Sequence, residues 1–236
     1  MIGGAMQKEK GNTQGPSVRP LGHNSTIRQF ARGELCMQLM RGQYADAMCN
    51  VRMTDYPLSA EDLLEAAKDA SSAYAALGNR DVAKDICREA VKMLEFVKGS
   101  AKECDDAELA QAEMNRYCLS YDGIAVLGDA DPKHGIGRYN EIVKSNSKGE
   151  FCMQLVRSNY DTARGIALSF LSGTEIFDAS RDAEKAYLDM GDENTASKIR
   201  HNGNEIGHSV WEERVSAATP GGKKDEVSQL RRMYEM

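Results

Sequence analysis

The chain has 236 residues, a net charge of −6 and a sequence pI of 5.4. That length suffices to bury a sizeable core, while the acidic balance is the reverse of the basic excess a nucleic-acid binder carries. No apolar run approaches the ~20 residues of a membrane span, so neither nucleic acid nor membrane is expected as a partner.

Only 6% of the residues are aromatic, and Ala, Leu and Met supply most of the apolar content. Those side chains lose little entropy in a helix. Alternating runs of β-branched residues, the mark of strands, are missing. The chain is therefore expected to be all-α. Six cysteines occur with no CxxC pair, which points to reduced, buried thiols in a cytoplasmic protein.

Residues 1–24 are rich in Gly, Gln, Asn and Pro and lack an apolar signal-peptide core. They read as a disordered tail, with packing starting near Ile27. Next comes the stretch Gly33–Ala47, GELCMQLMRGQYADA. It returns at Gly149–Ala163 as GEFCMQLVRSNYDTA, with nine of fifteen positions identical at an offset of 116. A unit that recurs is a packing module rather than a unique catalytic centre.

Apolar residues at Leu63, Ala66, Ala67, Ala70, Ala73, Tyr74 and Leu77 follow one helix face. Ser59 and Asp62 form a capping box ahead of it, and Gly78 should end it. Ala83, Ile86, Cys87, Ala90, Leu94 and Val97 mark the next helix. The link between the two is so short that the chain must turn back on itself.

Ser100 with Glu103 makes another capping box, from which a helix could run towards Leu127. Asp131-Pro132 restarts a helix expected to reach about Lys144. The earlier grammar then repeats. Tyr74, Gly78, Ala83 and Ala90 align with Tyr187, Gly191, Ala196 and Gly203 at an offset of 113. After Thr219-Pro220-Gly221-Gly222, residues Val227, Leu230, Met233 and Tyr234 suggest a short terminal helix. The turn-to-turn spacings, 36 residues from Gly42 to Gly78 and 33 from Ser158 to Gly191, are those of helix-pair arrays.

At these residues the chain resembles the tetratricopeptide repeat. Tyr74, Gly78, Ala83 and Ala90, then Tyr187, Gly191, Ala196 and Gly203, match its spacing in full. Gly42, Tyr44 and Ala47, and Ser158, Tyr160 and Ala163, match more loosely, with serine for the turn glycine in the second set. The resemblance spans residues 27–218. It implies a right-handed α-solenoid of about five antiparallel helix pairs over 25–218, duplicated between 25–98 and 146–218, with 219–236 as linker and C-terminal cap.

The resemblance also implies a function. The expected activity is non-enzymatic: a scaffold, adaptor or chaperone-like protein that holds a peptide or a partner's helix in its concave groove. The groove positions are Lys68, Ser72, Arg181, Lys185, Arg32 and Lys148. Their charge favours an acidic partner segment, against the plain alternative of solvated helix faces. The asparagines with which some members grip a terminal carboxylate are absent from these positions, so that specificity is not carried over.

Two other classes compete. One is a self-associating structural subunit, a homo-oligomer. The other is a metal protein using His201, Glu205 and His208, which with Glu212 share one helix face. That face lies opposite the apolar stripe Ala196, Ile199, Gly203, Ile206 and Val210, so it would lack the outer shell that orients metal ligands. No cofactor, metal or catalytic residue is expected. No Cys/His dyad can be placed, and Gly135-Ile136-Gly137 is no nucleotide fingerprint.

Overall fold

The computed structural model describes residues 25–52, 58–98, 104–123 and 132–218. All regular structure among them is helical: α1 (Ser25–Met40), α2 (Tyr44–Arg52), α3 (Ala60–Ala76), α4 (Arg80–Lys98), α5 (Cys104–Gly123), α6 (Pro132–Val156), α7 (Tyr160–Phe170), α8 (Gly173–Asp189) and α9 (Glu193–Ala218). None of these helices is long and apolar enough to cross a membrane. The tail 1–24, the capping box at Ser100 and the terminal segment 219–236 lie outside the described residues.

Four tight turns share one hydrogen-bond pattern. Gln43 N–H donates to Gln38 O, Asn79 to Tyr74 O, Asn159 to Gln154 O and Asp192 to Tyr187 O, at 2.9, 2.9, 2.9 and 3.0 Å. This is the six-to-one bond of a Schellman helix end, which needs a left-handed residue just before the donor. Gly42, Gly78 and Gly191 fill that position with φ of 69°, 78° and 82°. Ser158 fills it in the fourth turn with φ of 60°, the single non-glycine residue with positive φ among the described residues. The serine that the sequence offers for a turn glycine therefore adopts the glycine's conformation.

The 113-residue offset extends to the helix starts. Ser59 caps α3 and Ser172 caps α8, each in a reciprocal capping box, with Asp62 and Glu175 returning the bond. Packing at one matched pair of positions differs between the halves. Leu64 and Leu94 in the first half become Phe177 and Gly207 in the second. The Phe177 ring occupies the space beside Gly207, where a methyl group would lie 2.7 Å from it.

The helices pack mostly on near neighbours: α3 against α1, α4 and α5, and α8 against α6 and α9. The most extensive interface is a different one, α1 against α6. These helices carry the two copies of the repeated stretch, which cross one another at their matching glycines. A methyl group on Gly33 would lie 2.8 Å from Asn146 O and 3.1 Å from Gly149 Cα. One on Gly149 would lie 3.0 Å from Phe30 O and 3.1 Å from Gly33 Cα. The copies are packed face to face, backbone on backbone.

The middle of the chain departs from expectation. The helix from Pro132 does not end near Lys144 but runs 25 residues to Val156. No breaker stands between Lys144 and Gly149, and Asn146 folds its amide back onto Ile142 O at 2.9 Å instead of opening the helix. The first turns of α6 lie on the end of α3: Gly135 sits so close to Ala76 that a Cβ would be 2.1 Å from its carbonyl oxygen, and Tyr139 packs edge-on to Tyr74 at 5.9 Å. α5 stacks instead on α4 and α3. The described residues thus hold four helix pairs with α5 between the second and third.

Two substitutions separate turn from helix. Gly191→Ala places a Cβ on a left-handed residue and should cost about 1 kcal/mol. Gly165→Ala, on the exposed side of α7 with open space around it, should gain about 1 kcal/mol from helix propensity. Urea denaturation checks both signs.

Candidate interaction surface

The first helices of the pairs are α1, α3, α6 and α8, and their facing side chains carry a repeated set of ion pairs. Arg28 on α1 reaches Asp62 and Ser59 at the capped start of α3, with Nη2 2.7 Å from Ser59 Oγ. Its counterpart Lys144 on α6 meets Glu175 at the start of α8, at 2.9 Å. One turn on, Lys148 bonds Asp182 at 3.0 Å. The matching pair is Arg32 and Asp69, where the arginine opposes the rise that burial imposes on the aspartate's pKa. Arg28, Lys144 and Lys148 each bridge two first helices.

The sequence-predicted groove residues are therefore mostly engaged within the chain. Lys68 is held by Glu113 of α5 and by Glu65, and these carboxylates push its pKa up. Lys148 lies in the bridge to Asp182, and the charge of Arg32 acts on Asp69. Ser72 turns its hydroxyl back to Asp69 O at 3.0 Å. Arg181 and Lys185 are exposed on α8, with Arg181 73% accessible and 3.5 Å from Asp178. All six lie on first helices: Arg32 on α1, Lys68 and Ser72 on α3, Lys148 on α6, and Arg181 and Lys185 on α8.

Two grooves do run together on this face. One, of about 270 Å³, lies between α1 and α3 and is lined by Arg28, Arg32, Glu61 and Glu65 among others. The other, of about 420 Å³, lies between α3 and α5 and shares Arg28 and Glu61 with the first. Leu64, Leu109 and Ala110 give it an apolar floor, and Leu109 is 68% exposed. Asp106, Glu61 and Glu113 rim it. The combined surface offers both charges around a short apolar strip.

Sequence reading missed a second constellation. Beneath the α1–α6 crossing, Glu34 and Glu150 are 1% and 3% exposed. Each is met by the arginine of the other copy. Arg41 grips Glu150 through both guanidinium nitrogens, with Nη2–Oε2 at 2.8 Å. Arg157 bonds Glu34 and reaches Asn50 Oδ1 at 3.2 Å. Gln154 donates to Glu34 at 2.7 Å, and Asn50 donates to Gln38 at 2.8 Å. Burial pushes both glutamate pKa values up, and the arginines oppose it. The signal was available: Glu34, Gln38 and Arg41 recur as Glu150, Gln154 and Arg157.

The other candidates offer less chemistry. Burial drives the thiol pKa values of Cys36 and Cys152 upward and that of Cys87 to about 12, which keeps these sulfurs neutral and poorly nucleophilic. His201 pairs with Glu205 at 3.4 Å on an exposed face, and His208 packs edge-on to Phe177. Among the described residues no three potential ligands converge as a metal would need. No family model, no curated protein and no solved structure matches the chain.

Glu175 gives a pH-dependent test. Its hydrogen bonds with Lys144 and Ser172 lower its pKa to about 2. A depressed folded-state pKa adds stability above the unfolded value near 4.5, lost as pH falls towards 2. Glu175→Gln should therefore cost about 1 kcal/mol at pH 7, given partial exposure and the cap it serves. The melting curves of parent and variant should converge between pH 4.5 and 2.

Proposed function

We propose that this chain is a non-enzymatic interaction scaffold built of tetratricopeptide-like helix pairs, which holds a polypeptide segment along the face formed by α1, α3 and α5. One observation carries the reading: the two joined grooves on that face, with Leu64, Leu109 and Ala110 as floor and Arg28, Glu61, Asp106 and Glu113 at the rim. A short apolar strip flanked by both charges suits an amphipathic segment, whose buried side chains supply affinity while the rim sets orientation. The four Schellman turns and paired capping boxes, repeated at fixed offsets, support the repeat assignment.

An acidic partner fits the face less well in the first half of the chain than in the second. Around α3 the cations already have internal carboxylate partners. Only Arg181 and Lys185 on α8 stand well into solvent, so any selection for acidic groups falls to them.

Affinity capture from the cell's own lysate, read by mass spectrometry, tests this. Glu61→Lys/Leu109→Glu alters the groove and Arg88→Glu/Lys92→Glu alters exposed positions on α4. A partner held by the parent and the α4 variant should fall at least about tenfold in the groove variant, with all three melting within a few degrees. Equal capture by all three would remove the groove. Recovery of the chain alone in every case would favour the self-associating subunit.

A further inference from the structure

In the first half of the molecule α5 covers a slot between α3 and α4. Tyr121 Oη donates to the buried Ser71 Oγ at 3.4 Å, Cys118 sits beside Cys87, and Glu113 bonds Lys68. Adding the 113-residue offset takes Leu64, Ala67, Lys68, Ser71, Cys87 and Val91 to Phe177, Ser180, Arg181, Glu184, Arg200 and Asn204. Those six residues line an open groove of about 300 Å³ between α8 and α9. The slot that α5 fills in one half is thus uncovered by any described residue in the other.

The same offset names an occupant. Carried past Ala218, it matches Met114 with Val227, Tyr117 with Leu230 and Tyr121 with Tyr234. Met114 and Tyr121 are buried in the α5 contact, and Tyr117 is packed against its core. The match starts at Met114: Ala107 and Ala110 fall on Pro220 and Lys223, so the counterpart is shorter than α5. Thr219-Pro220-Gly221-Gly222 supplies residues suited to a chain reversal before it.

We propose that residues 223–236 dock in the groove between α8 and α9, with Val227, Leu230 and Tyr234 against Phe177, Ser180 and Asn204. This segment covers the second half of the molecule as α5 covers the first. The two linings differ in kind. Ser71 and Cys87 become Glu184 and Arg200, which pair with each other, so the second slot is more polar. The inference does not rest on the polypeptide-binding face of α1, α3 and α5, although Arg181 lines the groove that the segment would cover.

A reporter thiol in the groove tests it in the full chain. Asn204→Cys would be alkylated and its modification followed peptide by peptide. With the C-terminal segment intact, the reporter should react at least about tenfold more slowly than with Val227→Asp/Leu230→Asp/Tyr234→Asp added. Ser228→Asp/Arg232→Asp, on the opposite side of a helix through this segment, should leave the slow rate unchanged. Equal rates with and without the triple substitution would overturn the proposal. A slow rate that rises on dilution would also overturn it, by assigning the cover to a second copy of the chain.

Discussion

A methyl group on Gly33 or Gly149 would stand about 3 Å from the backbone of the facing helix, so α1 and α6 meet main chain to main chain. The rest of the architecture follows from that approach. It brings the arginine of each repeat copy over the glutamate of the other, so that Arg41 meets Glu150 and Arg157 meets Glu34. Carboxylates this deeply buried are costly unless paired and hydrogen-bonded. The crossing supplies their partners, and the glutamines and Asn50 meet several of the remaining polar groups. An array in which each repeat stacked only on the next would not bring these distant residues together. The duplicated stretch therefore joins the two halves of the molecule, and stacking within each half is left to α3, α4, α8 and α9.

Much of the fold was legible in the residues. Helix starts were readable at Ser59 and turn ends at Gly78 and Gly191, because caps and left-handed residues are local demands that few residue types meet. Ser158 was readable as a turn through its alignment with Gly42. The course of α6 was not. It was expected to end near Lys144, yet it runs on through Gly149, and Gly135 and Gly149 are both contact residues with another backbone against them. Local propensity cannot tell a glycine that breaks a helix from one that admits a neighbour. The crossed Glu–Arg pairs escaped for a similar reason: identity between copies shows that residues matter, not that the copies touch.

The candidate surface was less legible. Lys68, Arg32 and Lys148 read as partner-facing cations on the first helices. What the sequence hid was their occupancy. Glu113 and Asp182 come from other helices, and they meet Lys68 and Lys148 only in the folded chain. Exposed pairs of this kind are individually weak, but they repeat at matching positions in both halves and so register one helix pair on the next. The apolar floor at Leu64, Leu109 and Ala110 depends on α5, which carries no counterpart in the clearest part of the duplication.

Urea unfolding of Gly33→Val, followed by the fluorescence of Trp211, tests the central claim most directly. The substitution lies in the first half, and Trp211, the only tryptophan, lies on α9 in the second. If the crossing of α1 and α6 couples the halves, overpacking at Gly33 should move the Trp211 transition by the equivalent of about 2–3 kcal/mol. A Trp211 midpoint unchanged from the parent, with the helical signal of the first half lost earlier, would show that the halves stand independently and would contradict the account.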